Sequence, residues 1–172
     1  MDNLNQYTKK NLFILNKKDN LICLLIIILV FFLDRFSKIK IINKQLDSDK
    51  NLYINDFMNF DLVWNTGIGF GLLSSNSNLI YNLVSLIIGL VIIFLIYLIV
   101  KSKFTDKIFF SLILGGALGN FYDRLTYFAV PDFIDLHYQN FHWFTFNIAD
   151  IFITLGITVL ILKEFFKKKN FK

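Results

Sequence analysis

Asn147 and Asp150 stand three residues apart at the start of an apolar run that continues through Gly156 to Leu162. At that spacing both fall on one face of a helix, within its first turns. A carboxylate held near or below the surface of a bilayer is strongly destabilising unless it has a partner or a task. A second acid, Asp132, follows Pro131, the only proline in the chain, and the stretch between Asp132 and Asp150 is long enough to fold back. Two carboxylates that meet in a partly dry site do not both ionise easily, so one keeps a proton near neutral pH. Such a pair can act as general base for water and as acid for a carbonyl oxygen or leaving amine. This is the logic of an aspartic protease set at a membrane surface. Asp135, three residues beyond Asp132, is a rival that spacing alone does not separate.

Other chemistries find less support. There is no Gly-x-Ser-x-Gly elbow, and the single cysteine, Cys23, opens an apolar run on the side opposite the acids, where it reads as a small apolar residue. His137 and His142 could join Asp132 and Asp135 around a metal, but they lack the helical i, i+4 spacing of such sites. Beside Tyr138 and Trp143 they read as interfacial anchors, so neither metal nor cofactor is expected. The glycine-rich "NTGIGFG" (65–71) is followed by no Lys-Ser/Thr pair, which argues against a nucleotide and for a tight turn close to a headgroup or peptide.

The elements that must position these acids follow from composition. The chain has 172 residues, of which 55% are hydrophobic, with a mean hydropathy of +0.55, and reads as a single integral membrane domain over 1–172. Apolar segments predict spans at 21–42, 79–100, 108–124 and 146–166, each near the ~20 residues that a crossing needs. The first of these is retained, because it has no small-residue cleavage site and starts well inside the chain. Lys9, Lys10, Lys17 and Lys18 precede the first span, Lys101, Lys103 and Lys107 lie between the second and third, and Lys163, Lys167, Lys168, Lys169 and Lys172 follow the fourth. The positive-inside rule then puts both termini in the cytoplasm and the loops 43–78 and 125–145 outside. The net charge of +5 reflects this topology and anionic lipid, without nucleic acid.

Asp34, Asn65, Asn120, Asp123, Arg124, Asp132, Asn147 and Asp150 all gather at the outward ends of their segments, which suggests a site. "FDLVW" (60–64) alternates like a short strand, and "LLSSNSN" reads as an interfacial helix or loop. The expected fold is therefore a membrane all-α bundle of four transmembrane helices with a small β-containing extracytoplasmic loop region. Ser111, Gly115 and Gly119 form a small-residue stripe for close helix approach, and Gly116, Asn120 and Arg124 a neighbouring inward stripe. Only Arg35 and Arg124 are arginines among 18 basic residues, so Arg124 points to a site wanting a planar multi-donor cation, paired with Asp123, Asp34 or a substrate group.

Five stretches, in order, resemble the boxes of the lipoprotein signal peptidases (signal peptidase II), bacterial inner-membrane aspartic endopeptidases. They are "DRFSK" (34–38), "NTGIGFG" (65–71), "GGALGNFYDR" (115–124), "VPDF" (130–133) and "FNIAD" (146–150), and the match covers nearly the whole chain. The resemblance implies that Asp132 and Asp150 are the catalytic pair, with Asp135 outside the motif. It also implies that Asp34, Asn65, Gly116, Asn120, Arg124 and Asn147 line the site and help to hold the substrate. That substrate would be a diacylglyceryl-modified prolipoprotein, cut on the amino side of its lipidated cysteine. The implied protein is multi-pass, acts near the outer face, and has substrate and membrane lipids as partners; a monomer is expected. Pro131 departs from the valine more usual there. The alternative is a small proton or ion transporter, which would want acids near the bilayer midplane.

Overall fold

The structure, a computed structural model, describes residues 17–47, 52–67 and 78–169. It contains helices α1 (Lys17–Asp47), α2 (Asn78–Lys101), α3 (Phe104–Tyr127) and α4 (Ile148–Lys169). Between them lie strands β1 (Leu52–Asn55), β2 (Met58–Asn65), β3 (Val130–Tyr138) and β4 (Phe141–Phe146). The strands form one antiparallel sheet in the order β1-β2-β3-β4. Residues 68–71 of the glycine-rich stretch, and the 72–77 stretch read as an interfacial helix or loop, lie outside the described residues.

The helices outrun the apolar segments at most ends, because backbone hydrogen bonding does not stop where the hydrocarbon does. α1 passes unbroken through Asp34, Arg35 and Lys38 to Asp47. The exception is α4, which starts at Ile148 and not at Phe146, because Asn147 is its cap. α2 supplies Leu79–Lys101, the one helix among the described residues long and apolar enough by length and composition to cross a membrane. Exposed Leu24, Leu29 and Phe32 on α1, and Ile157 and Ile161 on α4, extend the apolar surface around the bundle. An exposed apolar surface of that extent calls for lipid or another apolar partner.

α3 is the central helix, packed against the other three, and its small residues make that possible. A Cβ on Gly115 would lie 2.8 Å from Val30 Cβ and 3.0 Å from the Ile27 carbonyl of α1. One on Gly116 would lie 2.6 Å from the Ala149 carbonyl of α4. Gly156 returns the fit from α4, where a Cβ would lie 2.6 Å from Ile113. The expected close approach along the Ser111-Gly115-Gly119 stripe is thus directed at α1. Cys23 is buried in the core cluster that also contains Ile92, Leu95 and Leu114, as a small apolar residue.

"FDLVW" falls inside β2, as its alternation predicts. The 125–145 stretch, read as a loop, is instead largely a β-hairpin. α3 stops at Phe128, whose left-handed φ of 56° turns the chain into β3. Gln139 takes φ 55°, the sign that a two-residue hairpin turn needs at its first central position. Pro131 is tolerated because pairing with β4 begins only at Ile134, so β3 is locally a one-sided strand there.

Candidate active site

The site is built where α1, α3, the start of α4 and the sheet converge. Asn147 and Asp150 form a capping box on α4: Asn147 Oδ1 accepts the Asp150 N–H, and Asp150 Oδ2 accepts the Asn147 N–H, both at 3.1 Å. With its oxygen committed to the helix, the Asn147 amide must turn its Nδ2 outward, where it donates to Asp132 Oδ1 at 2.5 Å. Asn65 Nδ2, from the end of β2, donates to Asp132 Oδ2 at 2.8 Å. Asn120 Nδ2, from α3, donates to Asp150 Oδ1 at 2.9 Å. Asn147 therefore bridges the two carboxylates, and each also has a second asparagine of its own. Asp132 is 2% exposed and Asp150 8%.

Burial pushes the Asp132 carboxyl up to about 7, helped by the neighbouring Asp150 charge and opposed by the Asn65 and Asn147 hydrogen bonds. An acid of that strength gives and takes a proton at neutral pH.

Beneath the pair lies a cluster whose Asp34, Asn120 and Asp123 the sequence marked, but whose cations, Lys38 and Arg35, it did not. Lys38 is 0% exposed, and its Nζ donates to Asp34 Oδ2 (2.7 Å), Asn120 Oδ1 (2.8 Å) and Asp123 Oδ2 (2.7 Å). Arg35 Nη2 lies 2.5 Å from Asp123 Oδ1. The available signal was a lysine four residues after Asp34 inside an apolar segment. Asp34 Oδ1 accepts the Ala149 N–H at 3.0 Å, so this acid ties α1 to the first turn of α4. Both Asp34 and Gly116 are buried against protein and present no open surface.

Arg124 is buried as expected, but with other partners. It donates to the backbone carbonyls of Gly67 and Thr66, and its guanidinium lies 5.8 Å from the Tyr81 ring. Of the partners expected for it, Asp123, Asp34 or a substrate group, the two acids are taken by Lys38, and Asp123, adjacent on the helix, diverges from it. Arg124 thus clamps the turn that follows Asn65. Asp135 pairs with His142 Nδ1 at 2.7 Å, one strand face away from Asp132. The rings of His137 and His142 lie 5.2 Å apart, and among the described residues no group of three His, Cys, Asp or Glu is arranged to hold a metal.

Two apolar grooves meet at Asp150. One, of about 300 Å³, runs between α2, α3 and α4 past Ile88, Leu95 and Ile157, with Asn120, Arg124 and Asp150 among its lining. The other, of about 450 Å³, lies between the β3–β4 hairpin and α4, lined by Leu136, Phe146, Asp150 and Leu155. Thr154, one turn below Asp150, borders both.

A paired-carboxylate site beside apolar grooves has counterparts among known proteins. A family model described as signal peptidase (SPase) II matches residues 26–166. The lipoprotein signal peptidase of Pelagibacter ubique (strain HTCC1062) is 49% identical over 162 residues, covering 92% of this chain and 98% of that protein. The lipoprotein signal peptidase of Francisella tularensis (strain SCHU S4 / Schu 4) is 43% identical over 83% of this chain and 91% of its own. A solved structure described as a bacterial membrane enzyme, determined in meso at 2.3 Å resolution, superposes with a TM-score of 0.72 at 27% identity, covering 87% of this chain and 91% of that one. With the family model spanning most of its length and relatives this similar end to end, the chain belongs to the signal peptidase II family of aspartic peptidases.

Proposed function

We propose that Asp132 and Asp150 are the catalytic pair through which this peptidase removes signal peptides from prolipoproteins. The observation that carries the assignment is the Asn147 bridge, which links the two buried carboxylates, one of which, Asp150, stands where the two apolar grooves meet. Asp132, raised to about 7, supplies the proton; Asp150, accepting from Asn120 and the Asn147 N–H, acts as the base. Asp150 takes a proton from water, and the resulting hydroxide attacks the scissile carbonyl carbon while Asp132 protonates the carbonyl oxygen. The tetrahedral diol then collapses: the proton on Asp150 passes to the leaving nitrogen, the C–N bond breaks, and Asp132 recovers its proton from the diol. The balance is one water consumed, one acid and one amine released, with no metal required.

The substrate reading follows from the grooves. A precursor cut on the amino side of a diacylglyceryl-modified cysteine has an apolar arm on each side of the scissile bond, the signal segment and the acyl chains. Two apolar grooves meeting at Asp150 match two apolar arms. In this reading Asn65, Asn120 and Asn147 orient the carboxylates, Arg124 holds the 65–67 turn as an outer wall, and Asp34 and Gly116 seat α4. All four helices span a bacterial inner membrane as one domain, both termini cytoplasmic, with the sheet outside and the site near the outer face. The test is cleavage of a diacylglyceryl-modified precursor by purified protein with each aspartate changed to asparagine. Turnover by either variant removes that residue from the pair.

A further inference from the structure

Lys38 takes no part in the mechanism just described, yet it is the hub of the buried network. We propose that Lys38 is a positioning residue for the reaction, fixing the Asn120 amide so that its NH₂ is presented to Asp150; this rests on the reading of Asp150 as catalytic. An ammonium has three protons to donate and nothing to accept. Here each proton has its own acceptor, on Asp34, Asn120 and Asp123, and the side chain is wholly buried, so the group has one orientation. Asn120 is held between that obligate donor and a carboxylate, Asp150 Oδ1. Only one amide orientation satisfies both ends: Oδ1 to Lys38 and Nδ2 to Asp150. Without Lys38 only the Asp150 carboxylate orients the amide, and that hold is lost whenever Asp150 carries a proton.

Charge neutralisation alone does not account for this arrangement. Asp34 and Asp123 are balanced by Lys38 and Arg35, and for that purpose two of the ammonium protons suffice. The third goes to a neutral amide whose far end touches the proposed base. α1 thus reaches α4 at two points, through Asp34 to the Ala149 N–H and through Lys38 and Asn120 to Asp150.

The test is a double-mutant cycle on purified full-length protein, read as kcat and KM on a diacylglyceryl-modified precursor. Lys38→Met, which keeps the length and removes the donors, should lower kcat by about tenfold to a hundredfold with KM changed by less than about twofold, as expected for a misplaced catalytic group. In an Asn120→Leu background the same change should cause no further fall in kcat, because the route it acts through is gone. Parental kcat in Lys38→Met, or an equal fold-loss in both backgrounds, overturns the proposal in favour of a structural lysine. If Lys38→Met does not fold, Asp34→Asn combined with Lys38→Met removes one charge of each sign, and it is compared with Asp34→Asn alone in the same two backgrounds under the same criteria. Asp150→Asn is run beside them. Turnover there removes the catalytic pair, whereas an inactive Asp150→Asn with additive Lys38 and Asn120 losses keeps the pair and overturns only the positioning role.

Discussion

Asn147 and Asp150 cap the same helix reciprocally, each side chain accepting the other's backbone N–H at 3.1 Å. The proposed base is therefore part of a helix terminus. Its carboxylate cannot swing away without uncapping α4, and the positive end of the helix favours its charge. Part of the preorganisation of the base therefore follows from secondary structure.

Asp150→Asn should be inactive yet folded. An asparagine at that position still offers Oδ1 to the Asn147 N–H, so the cap survives, but its Nδ2 then faces the Asn120 Nδ2 and the mismatch should cost about 1–3 kcal/mol. Asp132→Asn should be equally inactive, because an amide cannot cycle as the acid. Asp135→Asn should keep most activity, since Asp135 lies on the other face of β3 and its partner is His142. Turnover of a lipidated precursor, with a thermal melt for each variant, separates these outcomes; a dead Asp135→Asn beside an active Asp132→Asn would reverse the assignment.

The raised Asp132 carboxyl makes two pH-dependent expectations. Activity needs its proton, so the rate should fall on the alkaline side with a midpoint near 7. For stability the sign runs the same way. A carboxyl whose folded value lies above its unfolded one binds more protons when folded, so its favourable contribution is full below about 4 and is lost as pH rises through about 7. The loss is on the order of a few kcal/mol. Asp132→Asn should therefore gain stability relative to the parent as pH rises from about 4 to about 7, the window that the shift defines. Denaturation of both proteins across that range checks it, and a difference independent of pH would contradict it.

How much of this was legible beforehand depended on how local the signal was. Asn147 and Asp150 could be read because two polar residues three apart stand out at the head of an apolar run, and Asp132 stood out beside the only proline. Lys38 stood in the matched "DRFSK" box, four residues after Asp34, but its role could not be read, because its partners Asn120 and Asp123 are 82 and 85 residues away. Arg124 was marked as an inward residue, but its carbonyl partners in the 66–67 turn were not foreseen, because backbone carbonyls leave no trace in residue type. The β3–β4 hairpin was missed for a different reason. From Val130 to His137 nearly every residue of β3 is buried, so the apolar–polar alternation that marks a one-sided strand is absent. The acids and histidines in that run belong to a strand covered on both faces.

Small residues on α3 should differ sharply in what they tolerate. A Cβ on Gly119 would lie 2.5 Å from Asp34 Oδ2 and would displace the carboxylate that holds Lys38 and the Ala149 N–H. Gly119→Ala should lose most activity even where the protein still folds. Gly89 of α2 is the contrast, since a Cβ there makes ordinary 3.6 Å contact with the Phe121 ring. Gly89→Ala should stay near parental activity and stability, and removing glycine from a helix interior gains up to about 1 kcal/mol of propensity. Equal losses in the two variants would mean that Gly119 matters only for packing.

Chelation and substrate lipid can be tested together. EDTA should not inhibit, because two carboxylates suffice to activate water and split an amide, and the described residues group no three metal-ligating side chains. Unlipidated precursor should be cut poorly. Asp132 and Asp150 lie where the helix ends meet the sheet, beside grooves that are almost wholly apolar. A peptide whose acyl chains sit in the same bilayer is concentrated at that depth, each buried methylene adding about 0.8 kcal/mol of anchoring. Matched precursors with and without the diacylglyceryl group, each assayed with and without EDTA, give four rates. Activity lost on chelation and restored by zinc would move the chemistry to His137 and His142 and end the two-aspartate mechanism. Equal cleavage of both precursors would leave that mechanism intact but show that the grooves beside Asp150 do not select the lipid.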